Sequence, residues 1–545
     1  MYINVLYNRT KLYNFKKINA LTIGSQSYLN NTDLCTLYKQ FGYSVAKYIN
    51  GEFAFALYNS KANLYFCARD PLGINELYYT KENETYHFSN NINDLLDIKS
   101  ITKKPNLDAM KSMLFHRTID YTHTMYEGIF RLPPGHFMIV EKGREVLTRY
   151  WHPEKISIDY SLDEREASEK VRLLLKQAID RRVINLDETA FELSGGVDSS
   201  SIVSLLCQNK EAKDIDCYSM DFSGLKCDEN KYIESIKETY QINSQKIFSN
   251  SLDYKHRYSL KNLHNLSPNW PVNMTFASGL PMYEQMKKDN KKIVITGQGG
   301  DHLFEGSPYV LYDLFRRAKF SALYDELKYY PKQWDAIKTY ILKPLLGDKT
   351  LKWLRRFRGR NNTSPFLQES TSIKEFSDLI KADNKLFKDD LDIFTSSFNS
   401  LRLDGGFFHC AEKNFDVEIQ HPFFDIDLIE FVLSLPPEMK YKQRTIKWIL
   451  RKAMDGVLPN KIKNRQDKAE FSEILYQQTD ACDVDMLLSN PYIVKLGLIE
   501  QNLIDEYVEK YKTKTLKYIL LFWNIIALEY WYRYNFESKS LESLS

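Results

Sequence analysis

The segment FELSGGVDSS at 191–200 joins a short apolar run, a pair of glycines and a helix start without a spacer. The glycines, Gly195 and Gly196, let the backbone approach a ligand closely, and the helix start offers unpaired N–H groups with a partial positive charge. This order predicts an anion-binding loop at the end of a buried strand. No Gly-Lys-Ser/Thr sequence follows, so the loop is not of the Walker type. The alternative is an ordinary glycine turn with a Ser/Asp helix cap.

The polar side chains of this loop suit the phosphates of a nucleotide. Asp198 is placed to hold Mg²⁺ against phosphate oxygens, because carboxylates are preferred ligands of that ion. The hydroxyl groups of Ser194, Ser199 and Ser200 can donate hydrogen bonds to the same oxygens. We therefore expect a site for a nucleotide and its metal ion at this loop.

A second glycine loop, GQGGDHLF at 297–304, follows the apolar run KKIVIT in the same manner. Ligands of open parallel sheets bind at the carboxyl ends of the strands, so Asp198 and Asp301 are expected to share one metal ion. Two acids at one cation favour a nucleotide site over two unrelated turns. His302 has no His or Cys partner at ligand spacing, so it is expected to pack or to form a hydrogen bond.

The hydrophobic pattern divides the chain into two parts. Residues 1–155 are β-rich, with short alternating runs such as FAFALYNS (53–60) between turn residues. From residue 156 to 545, a helical pattern at 161–183 precedes the strand ETAFELS (188–194), and further strand-like and helical runs alternate. This alternation predicts an α/β fold with a parallel sheet. The sequence from about residue 309 is mostly helical in pattern.

Charge and cysteine content exclude several classes of protein. Lys+Arg 74 against Asp+Glu 71 leaves a formal charge of +3, so no global field attracts nucleic acid or an anionic membrane. Seven cysteines without a CxxC pair argue against a disulfide framework and favour a reducing, cytoplasmic location. We see no secretory signal. The apolar run at 518–528 is too short and polar for a membrane span, so a buried helix is expected.

Together, the two loops resemble those of the asparagine synthetase superfamily, whose synthetase domain carries SGGxDS and a later G-x-G-x-D loop. The first part of the chain is similar to the family's glutaminase domain, at Asn50–Ala54, Arg69–Gly73 and Arg131–Gly135. Later matches are Glu418 in VEIQHPFFD, Lys447 in RTIKWILRKA, and Arg465 and Lys468 in NRQDKAEF. The resemblance implies an N-terminal degenerate glutaminase-like α+β sandwich of the Ntn type. A parallel-sheet ATP-pyrophosphatase domain with a helical extension would follow it.

The resemblance also implies the roles of individual residues. ATP and Mg²⁺ would be the cofactors, with Asp198 and Asp301 as the metal ligands. Lys468 would stabilise the oxyanion, and Glu418 would orient or deprotonate the attacking amine. A surface lysine and a salt-bridged acid are the alternatives for these two. ATP and pyrophosphate would contact the glycine loops and one lysine, namely Ser194, Gly195, Gly196, Asp198, Ser199, Gly299, Gly300 and Lys447.

One departure from the family pattern directs the functional hypothesis. The family's glutaminase uses a cysteine at its processed N-terminus, whereas here Tyr2 follows Met1 and the nearest cysteine is Cys35. We therefore expect the nitrogen to come from a substrate amine. The β-lactam synthetase branch has a catalytic Tyr where this chain has Gln298. The chain is more similar to the macrolactam cyclases of lasso peptides, which act on a precursor peptide alongside a leader-binding protein and a maturation protease.

Two other hypotheses stay open. An ammonia- or amine-dependent amide synthetase for a small acid would keep every ATP residue and differ only in its acceptor pocket. A non-catalytic interaction protein is disfavoured, because the acids and the lysine of the family site are all present. The basic stretch 342–360 could meet the peptide, a partner protein or nucleic acid, and a solvated helix face is the simpler interpretation.

Overall fold

The computed structural model of the chain describes residues 3–10, 14–15, 31–114, 122–208, 210–248, 271, 279–346, 408, 411–467, 469, 471–480, 482–516 and 519–537. Its first part is built from antiparallel sheets. A five-stranded sheet has the order β1-β4-β5-β9-β10, a three-stranded sheet has the order β7-β6-β8, and β2 pairs with β3. The strands are β1 Ile3–Thr10, β2 Asn14–Phe15, β3 Ile49–Asn50, β4 Phe53–Asn59, β5 Leu64–Arg69, β6 Tyr78–Glu82, β7 Thr85–Ser89, β8 Phe130–Arg131, β9 His136–Glu141 and β10 Arg144–Arg149.

Strand β4 is buried on both faces because it lies between two layers. Phe53 and Phe55 point to one side, where they pack with Leu34 of helix α1 (Asn31–Phe41). Ala54 and Ala56 point to the other side, towards the three-stranded sheet. Successive side chains of a strand alternate between faces, so large residues fill one layer and small ones admit the second sheet. The predicted N-terminal sandwich is therefore confirmed, with α2 (Ile92–Leu96) and α3 (Leu107–Leu114) beside it.

The second part is organised around a parallel sheet. Its strands are β11 Thr189–Glu192, β12 Asp216–Asp221, β13 Asn243–Phe248, β14 Ile293–Ile295 and β15 Glu418–Gln420. The order is β13-β12-β11-β14-β15, and each neighbouring pair is parallel. The helices on this sheet are α4 Glu164–Asp180, α5 Val197–Cys207, α6 Asn230–Tyr240 and α7 Leu280–Lys288. The α/β prediction is confirmed, and both glycine loops leave the carboxyl ends of adjacent strands, β11 and β14.

The two faces of the parallel sheet contribute to two different cores. On one face, Phe191 and Ile295 pack with residues of α4 and α5. On the other face, Ala190 and Val294 pack with α7 and the C-terminal helices. Because both faces are covered at the centre of the sheet, the inner strands β11 and β14 carry short apolar runs, as is usual in parallel sheets.

Helices make up most of the remaining described chain, as the pattern predicted. The last of them, α20 (Ile519–Phe536), is buried against the N-terminal part, where the hydroxyl of Tyr126 donates a hydrogen bond to the side-chain oxygen of Asn535 at 2.8 Å. Among the described helices, none is long and apolar enough to cross a membrane. The helices are α8 Gly300–Phe304, α9 Val310–Arg316, α10 Phe320–Leu327, α11 Gln333–Ile337, α12 Ile426–Leu433, α13 Pro437–Lys440, α14 Trp448–Ala453, α15 Asn460–Lys463, α16 Ser472–Asp480, α17 Val484–Leu488, α18 Tyr492–Lys495, α19 Gln501–Lys512 and α20 Ile519–Phe536.

A buried group of charges joins the two parts. Arg182, just after α4, lies 3.7 Å from Glu52 of the sandwich and 3.3 Å from Asp425, the N-cap residue of α12. All three side chains are at most 3% exposed. Burying charges is costly unless they are paired, so this contact fixes the sandwich against the sheet domain. The predicted boundary at 155/156 falls between β10 and α4 and stays a prediction.

Candidate active site

The two glycine loops lie directly against each other at the carboxyl edge of the sheet. A Cβ atom placed on Gly300 would be 2.3 Å from the Cγ atom of Asp198, closer than any side chain can tolerate. Gly299 is the N-cap residue of α8, and Asp301 lies in the first turn of that helix. The absence of a side chain at Gly300 is thus the condition for bringing the two acids to one place.

The first loop is held in shape by its own polar groups. Ser199 Oγ accepts the backbone N–H of Ser194 at 3.1 Å and lies 3.0 Å from Ser194 Oγ. Gly195 has a φ of +75°, which favours glycine, and a Cβ there would lie 2.8 Å from the Cβ of Tyr232. Gly196 caps α5, so the helix start faces this loop as predicted.

Lys447 occupies the position between the two acids. Its Nζ lies 2.5 Å from Asp198 Oδ2 and 2.5 Å from Asp301 Oδ1. Burial acts to lower the pKa of this ammonium, but the two carboxylates outweigh it and hold the pKa above its usual value. Lys447 has a left-handed backbone, with a φ of 58°, at the start of α14. The two acids and the lysine therefore form one cluster, drawn from three separate segments.

The donor set of this cluster fits a magnesium ion. Asp198 and Asp301 direct carboxylate oxygens towards one point, and Mg²⁺ commonly takes one or two carboxylates together with substrate phosphates and water. Within the described residues, no group of three or more His, Cys, Asp or Glu side chains could hold a metal ion. A metal at this place would therefore depend on phosphate oxygens for its other ligands. The assignment of both acids as metal ligands stays a prediction.

Arg465 connects a distant segment to the first loop. Its guanidinium donates to the carbonyl oxygen of Gly195 at 2.9 Å and to Glu229 at 2.6 Å. It also stacks over the ring of Tyr232, 3.9 Å from the centroid. Arg is suited to such a site because its planar guanidinium group can donate hydrogen bonds and stack on an aromatic ring at the same time. Lys468, the predicted oxyanion-stabilising residue, lies outside the described residues.

Glu418 begins strand β15 at the amino end of the sheet. It lies opposite Ile293 in the parallel register, whereas the second glycine loop follows Ile295. Its carboxylate accepts a hydrogen bond from the amide of Gln420. Glu418 also lines a cavity of about 570 Å³ together with Lys292 and Asp416. Its predicted role beside the reacting amine is untested, and its Cα lies about 6.6 Å along the strand from the carboxyl edge.

Glu192 is an acid at the carboxyl edge that the sequence analysis did not single out. It is the last residue of β11, two positions before Ser194, and its Oε1 accepts a hydrogen bond from the hydroxyl of Tyr283 at 2.7 Å. Burial raises the pKa of Glu192 to about 7, although the Tyr283 hydrogen bond acts to lower it. A lone acid in an otherwise apolar strand end was the available signal.

In the sandwich, the motif at Arg69–Gly73 serves the structure of a loop. The guanidinium of Arg69 donates to the carbonyl oxygens of Gly73, Asn75 and Leu132 and to the carboxylate of Glu76, at 2.6–2.8 Å. Burial raises the thiol pKa of Cys35 and of Cys67, the two cysteines of this part of the chain. None of the described cysteines forms a disulfide bond, and Cys410 lies outside the described residues, as does the basic stretch from residue 347 onward.

The chain is similar to known proteins over both parts. Residues 170–533, about two thirds of the 545, match the family described as "Asparagine synthase", and residues 2–151 match "Glutamine amidotransferase domain". "Putative asparagine synthetase [glutamine-hydrolyzing] 2" of Methanocaldococcus jannaschii is 25% identical over 314 residues, 56% of this chain and 59% of the relative. "Asparagine synthetase [glutamine-hydrolyzing] 3" of Bacillus subtilis is 26% identical, over 77% of this chain and 67% of the relative. "Amidase chyE" of Penicillium rubens is 26% identical, over 88% and 78%.

Proposed function

The chain belongs to the asparagine synthase family, and from this we propose that it is an ATP-dependent ligase that adenylates a carboxylate and joins it to an amine. The observation that carries the proposal is the meeting of Asp198, Asp301 and Lys447 at the edge of the sheet. Acids and a buried cation from three segments are the groups needed to hold a triphosphate and its metal ion.

Activation of the carboxylate is the first step. A carboxylate is a poor electrophile at neutral pH, so its oxygen attacks the α-phosphate of ATP, and pyrophosphate leaves. The first loop, from Ser194 to Ser199, binds the departing pyrophosphate, and Lys447 adds a positive charge beside it. Mg²⁺ bound by Asp198 and Asp301 would supply further neutralisation of the phosphate charge. The product of this step is an acyl-adenylate.

Amide formation is the second step. The amine attacks the acyl carbon, and AMP leaves with the bonding electrons. Lys468 is our candidate for stabilising the oxyanion that develops, a role in which one lost donor typically costs about 2.7–4 kcal/mol. Glu418 is the candidate that the family resemblance assigns to the amine. Both roles are part of the proposal.

The sandwich does not favour glutamine as the nitrogen source. A nucleophilic cysteine works as its thiolate and needs a lowered pKa, yet burial raises the pKa of both Cys35 and Cys67. Arg69, in the motif matched to the glutaminase domain, is engaged in holding its own loop. A substrate amine is the nitrogen source that agrees with these features.

A precursor peptide is the substrate that we favour. Its Asp or Glu side chain would be adenylated and its own N-terminal amine would attack, giving a macrolactam ring, AMP and pyrophosphate. The loop Gln298–His302, with Gln298 in place of the tyrosine of β-lactam synthetases, supports the lasso-cyclase branch. Such an enzyme must order a disordered peptide before the bond closes, which consumes binding energy. A leader-binding protein and a maturation protease are the expected partners, in the cytoplasm.

A second candidate has support from the relatives. Two of those described above are named asparagine synthetases, so an ammonia- or amine-dependent synthetase acting on a small acid keeps the same ATP site. The two candidates differ in the acid that is activated, and this difference is measurable.

Pyrophosphate exchange into ATP tests the proposal and separates the candidates. Exchange that requires a linear precursor peptide, and not free aspartate, supports the cyclase, and a product lighter by one water and resistant to carboxypeptidase completes the case. Exchange with free aspartate, and an amide formed with added ammonium, would establish the second candidate. If no acid supports exchange, the result would favour the hypothesis of a non-catalytic interaction protein. Asp301→Asn is the matched control, since it should abolish exchange in either case.

A further inference from the structure

Glu192 lies at the end of the strand that leads into the first glycine loop. Strand β11 is the central strand of the parallel sheet, and Glu192 is its last residue. The backbone N–H of the next residue, Leu193, donates a hydrogen bond to the carbonyl oxygen of Tyr218, and Ser194 then begins the first glycine loop. The carboxyl group is thus on the same edge of the sheet as Asp198 and Asp301. Glu418, by contrast, is the first residue of β15 and lies towards the amino ends of the strands.

The side chain of Glu192 is held on a defined face of the sheet. It shares that face of β11 with Ala190, which packs in the same core as Tyr283. Tyr283 is 3% exposed, and its ring lies parallel to that of Phe415, with centroids 6.4 Å apart. Its hydroxyl donates to Glu192 Oε1 at 2.7 Å. A fixed donor on one carboxylate oxygen orients the carboxyl group while Glu192 remains partly accessible to solvent.

Within the described part of the chain, few charges act on Glu192 from the elements packed around it. Burial is the dominant influence on its pKa, followed by the hydrogen bond from Tyr283 on α7. The charge of Glu412 acts on the pKa of Tyr283, which burial raises most, rather than on the pKa of Glu192. Tyr218, opposite Glu192 on β12, directs its hydroxyl to Asp289 at 2.8 Å. A carboxyl group with a pKa near the working pH can accept a proton and release it again, which is the requirement for a general base.

Resting on the proposed ligase function, we propose that Glu192 is the proton acceptor for the attacking amine, with Tyr283 as its positioning residue. Glu418 then keeps only the orienting part of its predicted role. In this step the amine nitrogen forms a bond to the acyl carbon, and the bond from that carbon to the adenylate oxygen breaks. AMP takes the electron pair, and the proton lost by nitrogen passes to the Glu192 carboxylate. The amide, AMP and a neutral Glu192 are the products, so atoms and charges balance. Glu192 then returns the proton to water.

The first experiment compares the two half-reactions in Glu192→Gln. We expect amide formation to fall by about 10²–10⁴-fold, the usual contribution of a general base. Pyrophosphate exchange, which precedes the amine, should change less than about threefold, because an isosteric amide keeps the hydrogen bond to Tyr283. Glu284→Gln is the matched control, since Glu284 neighbours Tyr283 on α7 and pairs with Lys288 at 2.8 Å. It should leave both half-reactions unchanged.

The second experiment uses Tyr283→Phe and a pH profile, which a merely structural role would not shift. Loss of the hydroxyl removes the contact that lowers the pKa of Glu192, so the acid limb of the amide-forming rate should move to higher pH by up to about one unit. The substrate amine is the same in both proteins, so its own titration cancels.

The outcomes separate the two proposals. Full amide formation in Glu192→Gln, or an unmoved acid limb in Tyr283→Phe, would overturn the role of Glu192 while leaving the ligase standing. Absence of pyrophosphate exchange in the unaltered protein would instead overturn the ligase itself. If Glu192→Gln does not fold, as judged by circular dichroism, the Tyr283→Phe profile still decides.

Discussion

The Nζ atom of Lys447 lies 2.5 Å from the carboxylate of Asp198, although 249 residues separate the two in the chain. Asp301 approaches the same ammonium equally closely from the second glycine loop. This contact joins α5, α8 and α14 at the carboxyl edge of the sheet. It makes the three residues one electrostatic unit, so changing any one of them alters the other two.

Replacing Lys447 by Met should remove pyrophosphate exchange and destabilise the fold. Asp198 and Asp301 would then face each other without the intervening cation, and breaking a buried ion pair typically costs about 3–5 kcal/mol. Added Mg²⁺ should recover part of the lost melting temperature, because the ion can replace the ammonium between the carboxylates. Thermal denaturation with and without Mg²⁺ measures this effect. Equal recovery in Asp198→Asn/Lys447→Met would contradict a metal site at these acids.

Adding a methyl group at Gly300 should disrupt the same cluster. In Gly300→Ala the new Cβ would lie 2.3 Å from Asp198 Cγ, so the carboxylate must move. A displacement of about 1 Å can cost about 10²-fold in rate, and we expect a loss of that order in pyrophosphate exchange. Gly497→Ala is the control, because Gly497 has a φ of +69° but no atom within 4 Å of the added Cβ. Similar exchange rates in the two variants would argue against direct contact between the loops.

Arg465→Lys should weaken nucleotide binding despite conserving the charge. Lysine cannot both contact the Gly195 carbonyl and stack on Tyr232, so the first loop loses its support. We expect the KM for ATP to rise about tenfold, which corresponds to about 1.4 kcal/mol. Steady-state kinetics tests this, with Lys463→Arg as a basic control elsewhere. An unchanged KM would mean that the loop holds its shape without Arg465.

The buried Arg182 should contribute to the free energy of unfolding through its contacts with both parts of the chain. Arg182→Met removes one partner of Glu52 and one partner of Asp425, and we expect a loss of about 3–5 kcal/mol in urea unfolding. Arg181→Met is the control, because Arg181 pairs with Asp425 but not with the sandwich acid and is 18% exposed. Its loss should be clearly smaller. Equal losses would show that the pair with Glu52 adds nothing.

Glu192 should make the protein less stable as the pH rises. Burial raises its pKa to about 7 from an ordinary value of 4.5, so between these values the native state keeps a proton that the unfolded state has lost. Stability from this group is greatest below pH 4.5, declines up to pH 7 and then levels off, by at most about 3 kcal/mol. Glu192→Gln should lack this decline. Urea unfolding of both proteins at pH 5 and pH 8 measures it, and parallel changes would exclude the effect.

The sequence predicted those parts of the site that depend on residues close together in the chain. A strand, a glycine pair and a helix start follow one another at 191–200, and the same order recurs around Asp301. Adjacent parallel strands then leave few ways to arrange their loops. The close approach of Asp198 and Asp301 agrees with this argument, since both contact Lys447. Lys447 was expected near phosphate, but its place between the acids was not, because no local pattern links α14 to the loops.

By itself the sequence determined the fold class, the two glycine loops and the two acids, because periodicity and turn chemistry act over a few neighbouring residues. Only the tertiary structure decided which polar side chains meet: Lys447 with both acids, and Glu192 with Tyr283. It also placed Glu418 at the amino end of its strand. Burial and pairing arise from segments far apart in the chain, and their electrostatic effects depend on distances that only the packed fold sets.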